Sequence, residues 1–266
     1  MIQRQILLCI VALAVTACSG PETPLRIPFV AQFDGREISC APSTTGPSLS
    51  DLRFYVSSVR AIRDDGAEVD LGLQPDDQWQ QAGLALLDFE DGTGACDNGT
   101  PATNTVLRGT LPVGEYRGLL FTIGVPFESN HGDPLLAAAP LDDTAMHWHW
   151  RAGYKFMRAG IRTVDDGFWI HLGSTGCKGT VQNITGCRFP NRVEVLLPEF
   201  VPGDDSVVVD LTALLRETDL LDTHATDCSS GPAEQSCELP FRALGLDFAT
   251  GSVLNTQNVF VRRTGQ

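Results

Sequence analysis

The chain has 266 residues, with 42% apolar and 20% charged side chains, and carries a net charge of −14. That balance excludes disorder for most of its length. It also leaves no basic stripe to neutralise nucleic-acid phosphates or to dock on anionic lipid. The length suits one all-β domain or two small ones, and 26 glycines with 16 prolines favour many short strands over long helices.

The N-terminus reads as an address. Arg4 precedes an apolar run from Ile6 to Val15 that is too short for a permanent membrane span. Val15-Thr16-Ala17-Cys18 then resembles a bacterial lipobox, which implies cleavage before Cys18 and lipidation of its thiol. The competing reading is an ordinary secretory signal with an incidental cysteine. Both export the chain, to the periplasm or the cell surface. Residues 1–17 are thus a signal peptide, residues 18–25 a tether containing Ser19-Gly20-Pro21, and residues 26–266 a single domain.

Along that domain, Leu25 to Phe33 reads as a first strand and Asp34-Gly35 as a turn. Leu52 to Ile62 is a strand whose slip in apolar phase predicts a bulge. Asp65-Gly66 turns into Glu68 to Leu73, and Leu84 to Phe89 is a short apolar run. Thr103 to Leu111 and Glu115 to Val125 flank Pro112-Val113-Gly114 as an expected hairpin. Residues 126–145 are irregular; Met146 to Arg158 and Gly167 to Leu172 form another expected hairpin. Arg192 to Leu197 and Ser206 to Val209 are late strands. Only Asp210 to Glu217 has helical spacing, with Asp210 as its N-cap. The expected fold is all-β: a single β-rich domain, sandwich or distorted barrel, with long loops and one short helix.

Export sets the reading of the eight cysteines. Cys9 leaves with the signal and Cys18 carries lipid. Cys40, Cys96, Cys177, Cys187, Cys228 and Cys237 remain, an even set that reads as disulfides. Local pairing of Cys177 with Cys187 and of Cys228 with Cys237 is the simplest assignment, leaving Cys40 with Cys96. Each short loop so closed stabilises by roughly 2–3 kcal/mol. No CxxC spacing points to a thiolate metal site.

The unusual stretch is Met146-His147-Trp148-His149-Trp150. As a regular strand it puts Met146, Trp148 and Trp150 on one face and His147, His149 and Arg151 on the other. The first set is the composition of a core; the second could chelate a metal with a third ligand from His131, His171 or His224.

Here the sequence resembles a family. Met146 to Met157, MHWHWRAGYKFM, is similar to the M-x-W-x-W and G-Y-x-F of the MbnP-like copper-binding proteins. Further stretches match in order: Leu86 to Asp91 before Gly94-Ala95-Cys96, Phe121 to Pro126 before Asn130 to Pro134, and His171 to Cys177 before Cys187 to Arg192. The resemblance spans roughly Ile27 to Phe248. One departure is His149, where the family has Ser or Thr, so an added imidazole stands between the two tryptophans.

The resemblance implies a copper protein whose first W-x-W tryptophan, here Trp148, is converted to kynurenine by a dihaem MauG-type partner, MbnH. Indole has no free lone pair, whereas the aryl amine of kynurenine binds a metal. A thioether and an imidazole complete a set suited to one Cu(I) ion. Met146 is the first thioether candidate and Met157 ranks lower. His131 is favoured over His171 for the imidazole, because loops reach over strand faces at a sheet end. Trp150 stays unmodified and, with Tyr154, relays an electron or packs; Trp169 extends the aromatic set.

Two other functions compete. One is a zinc or copper enzyme on His147 and His149 with Asp133 or Asp142 as base. The other is a carbohydrate-binding sandwich with Trp148 and Trp150 as a solvent-facing platform. G-x-S-x-G, H-E-x-x-H and phosphate-loop motifs are missing from the sequence, so a familiar hydrolase or nucleotide enzyme is not expected; the resemblance implies a metal-binding protein that is the substrate of a dihaem oxidant, not itself an enzyme.

Overall fold

The computed structural model describes residues 20–44, 46–163, 167–181, 183–215, 227–254 and 257–265. Cys18 and His224 lie outside them. In chain order the strands are β1 (Glu22–Phe33), β2 (Arg36–Glu37), β3 (Ser48–Arg63), β4 (Glu68–Asp70), β5 (Gly72–Leu73), β6 (Gln80–Gln81), β7 (Leu84–Asp88), β8 (Val106–Pro112) and β9 (Tyr116–Ile123). They continue as β10 (His147–His149), β11 (Gly153–Arg162), β12 (Gly167–Gly173), β13 (Thr175–Thr180), β14 (Asn183–Phe189), β15 (Val193–Pro198), β16 (Ser206–Asp210) and β17 (Phe260–Arg263).

Alternation decides which side each strand buries. In β15, Val193, Val195 and Leu197 are buried while Glu194, Leu196 and Pro198 are exposed. A smaller sheet runs β17-β16-β1-β8-β5, with β2 on β1. A larger sheet is centred on β3, which pairs with β11, β7, β9 and β4; β10 and β12 join β11, β15 joins β9 and β6 joins β7. The sheets face each other as an open sandwich and do not close into a barrel. Phe29 and Phe260 of the smaller sheet meet Phe54 and Phe121 of the larger with ring centroids 5.6 to 5.9 Å apart. Burying each such ring is worth about 1.5–3 kcal/mol.

The Asp34-Gly35 turn has both residues at positive φ, 50° and 70°, as a tight two-residue hairpin requires. The bulge in β3 falls where the register slips between Ser57 and Arg60, with Ser58 at φ 52°. The Asp210 carboxylate caps α1 (Leu211–Leu215) by accepting the Ala213 N–H at 3.0 Å. A second short helix, α2 (Glu238–Ala243), has no counterpart in the sequence reading.

Four expectations need correction. The strands around Pro112-Val113-Gly114 are no hairpin: β8 pairs with β1 and β5, β9 with β3 and β15, so the turn arches between sheets. β1 starts at Glu22, inside the segment read as tether, because residues 22–28 pair with β8. Met146 to Arg158 is not one strand. The loop between Cys177 and Cys187 is a ribbon of β13 and β14, its cysteines directly opposite.

Among the described residues the disulfides are Cys40–Cys96, Cys177–Cys187 and Cys228–Cys237. They suit an oxidising compartment. No helix of the described residues is long and apolar enough to cross a membrane. Residues 124–146 cover the outer face of the larger sheet through backbone carbonyls: Pro140 accepts from Tyr55 Oη at 3.0 Å, Leu141 from Tyr154 Oη at 2.5 Å and Ala145 from Lys155 Nζ at 2.6 Å.

Candidate metal centre

The Met146–Met157 stretch folds back on itself. A 3-10 turn (Thr144–Met146), N-capped by Asp143, ends in fully buried Met146. β10 follows, then a turn over residues 150–152, then β11. Gly153 serves that reversal at φ 80°, and a Cβ there would strike the Asn130 backbone. The Asn130 side chain locks the corner, accepting the Tyr154 N–H at 3.0 Å and donating to Ser174 Oγ at 2.9 Å.

Trp148 stands at a bulge. His147 pairs with Tyr154 and His149 with Gly153, one residue short of regular spacing, so Trp148 is the extra residue. The simple two-face division of residues 146–151 therefore fails: Met146 precedes the strand, Trp150 follows it, and the bulge re-aims what lies between. Half-buried Trp148 lays its benzo edge over Gly173, where a Cβ would overlap Cζ3. Gly173 and His171 are two apart on β12, so ring and imidazole share one face. Met157, opposite Phe54, points into the inter-sheet core. Trp150 is half-buried beneath the Arg151 guanidinium, 4.8 Å from its ring centroid. Buried Tyr154 packs edge-on against His147 at 4.9 Å and Tyr55 at 5.8 Å; burial raises its hydroxyl pKa to about 12. Trp169 packs over Gly160 and Gly167 at the far end of β11–β12.

The histidines differ in readiness. His131 places Nδ1 3.3 Å from the Trp150 carbonyl, which fixes the proton there and leaves Nε2 as the acceptor. That Nε2 lies 3.4 Å from Asn130 Nδ2 and 3.6 Å from Cys187 Sγ. Nε2 of His147 and Nε2 of His171 are both buried without a hydrogen-bond partner. Burial, then Arg158 and Lys155, press the His171 pKa down to about 4; burial, then His149, lower that of His147. Both rings are neutral and ligand-ready near neutral pH. His149 is exposed, its Nδ1 accepting the Arg151 N–H at 3.3 Å. Asp133 and Asp142 are exposed, and Asp133 accepts the Leu135 N–H at 3.0 Å, closing its own loop.

A charge network on the same outer face escaped the sequence reading. Arg158 pairs with Asp51, and Arg53 lies 3.1 Å from Glu90 and 3.5 Å from both Asp51 and Asp143. Its signal is Asp51 and Arg53, opposite charges two apart and so on one face of β3. Burial and the Asp51 carboxylate raise the Glu90 pKa, while burial lifts Asp88 to about 6.

Two orphaned imidazole nitrogens, a third imidazole hydrogen-bonded to a carbonyl and a buried thioether are donors of the kind a soft metal ion takes. Fold and side chains define a disulfide-stapled β-sandwich protein with histidines and tryptophans gathered along β10 and β12 of its larger sheet. The sequence matches the MbnP family over residues 22–231, and the chain belongs to that family. MbnP from Methylosinus trichosporium has a similar structure, with TM-score 0.79 and 28% sequence identity, covering 92% of this chain and 100% of that one. No curated protein matches.

Proposed function

We propose that this protein is an exported copper-binding protein of copper homeostasis, lipid-anchored through Cys18 in the periplasm or at the cell surface. It binds one Cu(I) through a kynurenine made from Trp148, with Met146 and an imidazole. His131 is the first imidazole, because its Nδ1 is held by the Trp150 carbonyl two residues from Trp148; His171, on the face that Trp148 covers, is the second. The protein is the substrate of a dihaem oxidant of the MauG/MbnH type, not itself an enzyme. The observation that carries this reading is the seat of Trp148: bulged, half-buried and resting on Gly173, on the face of β12 that also carries His171, whose Nε2 has no hydrogen-bond partner. A solvent-facing sugar platform is disfavoured, since Trp148 packs on Gly173 and Trp150 lies under Arg151.

The test is expression with and without a dihaem partner, mass spectrometry of the Trp148 peptide and Cu(I) titration. Tight binding is expected only where Trp148 is converted and Trp150 intact. Trp148→Phe abolishes tight binding with the fold preserved. Tight binding by a chain whose Trp148 is unmodified sinks the reading and promotes a site on His147 and His149.

A further inference from the structure

We propose that reduction of Cys177–Cys187 creates a second metal site, in which the two thiolates and His131 Nε2 take a thiophilic d10 cation such as Zn(II) or Cu(I). The site shares His131 with the copper reading but needs nothing from Trp148.

The three ligand atoms already lie within 4.8 Å of one another. His131 Nε2 is 3.6 Å from Cys187 Sγ. Two ligands on one tetrahedral zinc, at about 2.1 Å for nitrogen and about 2.3 Å for sulfur, stand about 3.5 Å apart. The imidazole therefore has its spacing before any metal arrives. Its tautomer is also set, because the Trp150 carbonyl takes the Nδ1 proton and leaves Nε2 as the donor.

The two sulfurs are held together by more than their mutual bond. Cys177 and Cys187 are directly opposed in β13–β14, and the pairs Thr175–Phe189, Lys178–Gly186 and Thr180–Asn183 hold that ribbon in register. Their Cα atoms are 3.8 Å apart, so the backbone keeps the two sulfurs close after their bond is broken. Ser174 Oγ, 3.8 Å from Cys177 Sγ, is itself tied to Asn130.

Of the three disulfides this one is the accessible one. Cys40, Cys96, Cys228 and Cys237 are at most 1% exposed, against 8% for Cys177 and partial exposure of Cys187. A cavity of about 290 Å³, lined by Phe127, Asn130, Ser174 and Arg192, opens onto Cys187. A dithiol donor supplies two electrons and two protons; the S–S bond breaks, two thiols form and the donor leaves as its own disulfide. Each thiol then loses its proton to solvent as its metal–sulfur bond forms, and the metal keeps its oxidation state.

The experiment uses the whole chain, reduced anaerobically with a dithiol, desalted and titrated with Cd(II), whose thiolate charge-transfer band reports sulfur ligation. Differential alkylation with mass spectrometry identifies which cysteines opened. One equivalent of Cd(II) with the thiolate band is expected for the reduced protein, and no band for the oxidised one. His131→Gln weakens binding at least about tenfold, and Trp148→Phe leaves it unchanged. Alkylating the two thiols of the reduced wild type abolishes the band and needs no variant to fold. Prior opening of either other disulfide, no band after verified reduction, equal affinity in His131→Gln, or loss of the band in Trp148→Phe each overturns the proposal. The Trp148→Phe arm separates it from the copper reading, which that variant destroys.

Discussion

Trp148 rests its Cζ3 and Cη2 over Gly173, so closely that a methyl group on Gly173 would overlap Cζ3. Gly173→Ala should therefore displace Trp148 and cost about 1–3 kcal/mol by overpacking. Tryptophan fluorescence should report the displacement. Introduced with Trp148→Phe, the alanine should cost less than its single-variant value, because the two residues meet directly. Strict additivity in denaturant unfolding would show that Trp148 does not rest there.

Arg53 compensates two buried carboxylates, those of Asp51 and Glu90, and reaches Asp143 on the covering segment. Arg53→Met should cost about 1–3 kcal/mol, because it leaves Asp51 with Arg158 alone and takes away the partner of Glu90. Glu90→Gln in that background should restore part of the loss. A complete double-mutant cycle by urea unfolding measures the coupling, and a value near zero would refute the pairing.

Burial pushes the Asp88 carboxyl from its ordinary 3.8 up to about 6. The folded chain thus holds that proton more tightly than the unfolded chain does. The stabilisation is fully present below the unfolded value and is lost as pH rises through about 6. Asp88→Asn keeps an oxygen for the Glu90 N–H, which Asp88 Oδ1 accepts at 2.8 Å. The variant should flatten the stability profile between about pH 4 and 6 and gain on the order of 1–3 kcal/mol over the wild type above it. Chemical unfolding across that range checks it; parallel wild-type and variant profiles would exclude Asp88 as the titrating group.

The disulfides should differ in worth. Cys40–Cys96 spans 56 residues and Cys228–Cys237 spans 9. On the chain-entropy account, removing the first by paired serine substitution should cost about 4 kcal/mol and the second about 3 kcal/mol. Unfolding midpoints in guanidinium rank them, and the reverse order would point to strain or residual unfolded structure.

Strand positions were readable where one side of a strand is buried and the other wet, as in β15, because alternation is a local property. Partner choice is not local. Pro112-Val113-Gly114 gives the same signal for a hairpin and for an arch between sheets. β13 and β14 form a polar, glycine-containing ribbon with little apolar phase to detect. In the site, residue types were legible and their directions were not. The two-face rule assumes an unbroken strand, whereas the extra residue at Trp148 changes the geometry without leaving a mark in the composition. The orphaned nitrogens of His147 and His171 depend on what packs around them, and that comes from distant segments.

The cover over the centre is gripped by its main chain. Tyr55, Tyr154 and Lys155 take hold of the carbonyls of Pro140, Leu141 and Ala145, a group every amino acid supplies. At those three residues of the cover grip and side-chain identity are thereby uncoupled. Its exposed positions, Leu135 and Leu136 among them, are free to drift over generations and reshape the protein's outward face. The residues anchored in the sheet beneath cannot drift in the same way, since each is the donating half of the clasp.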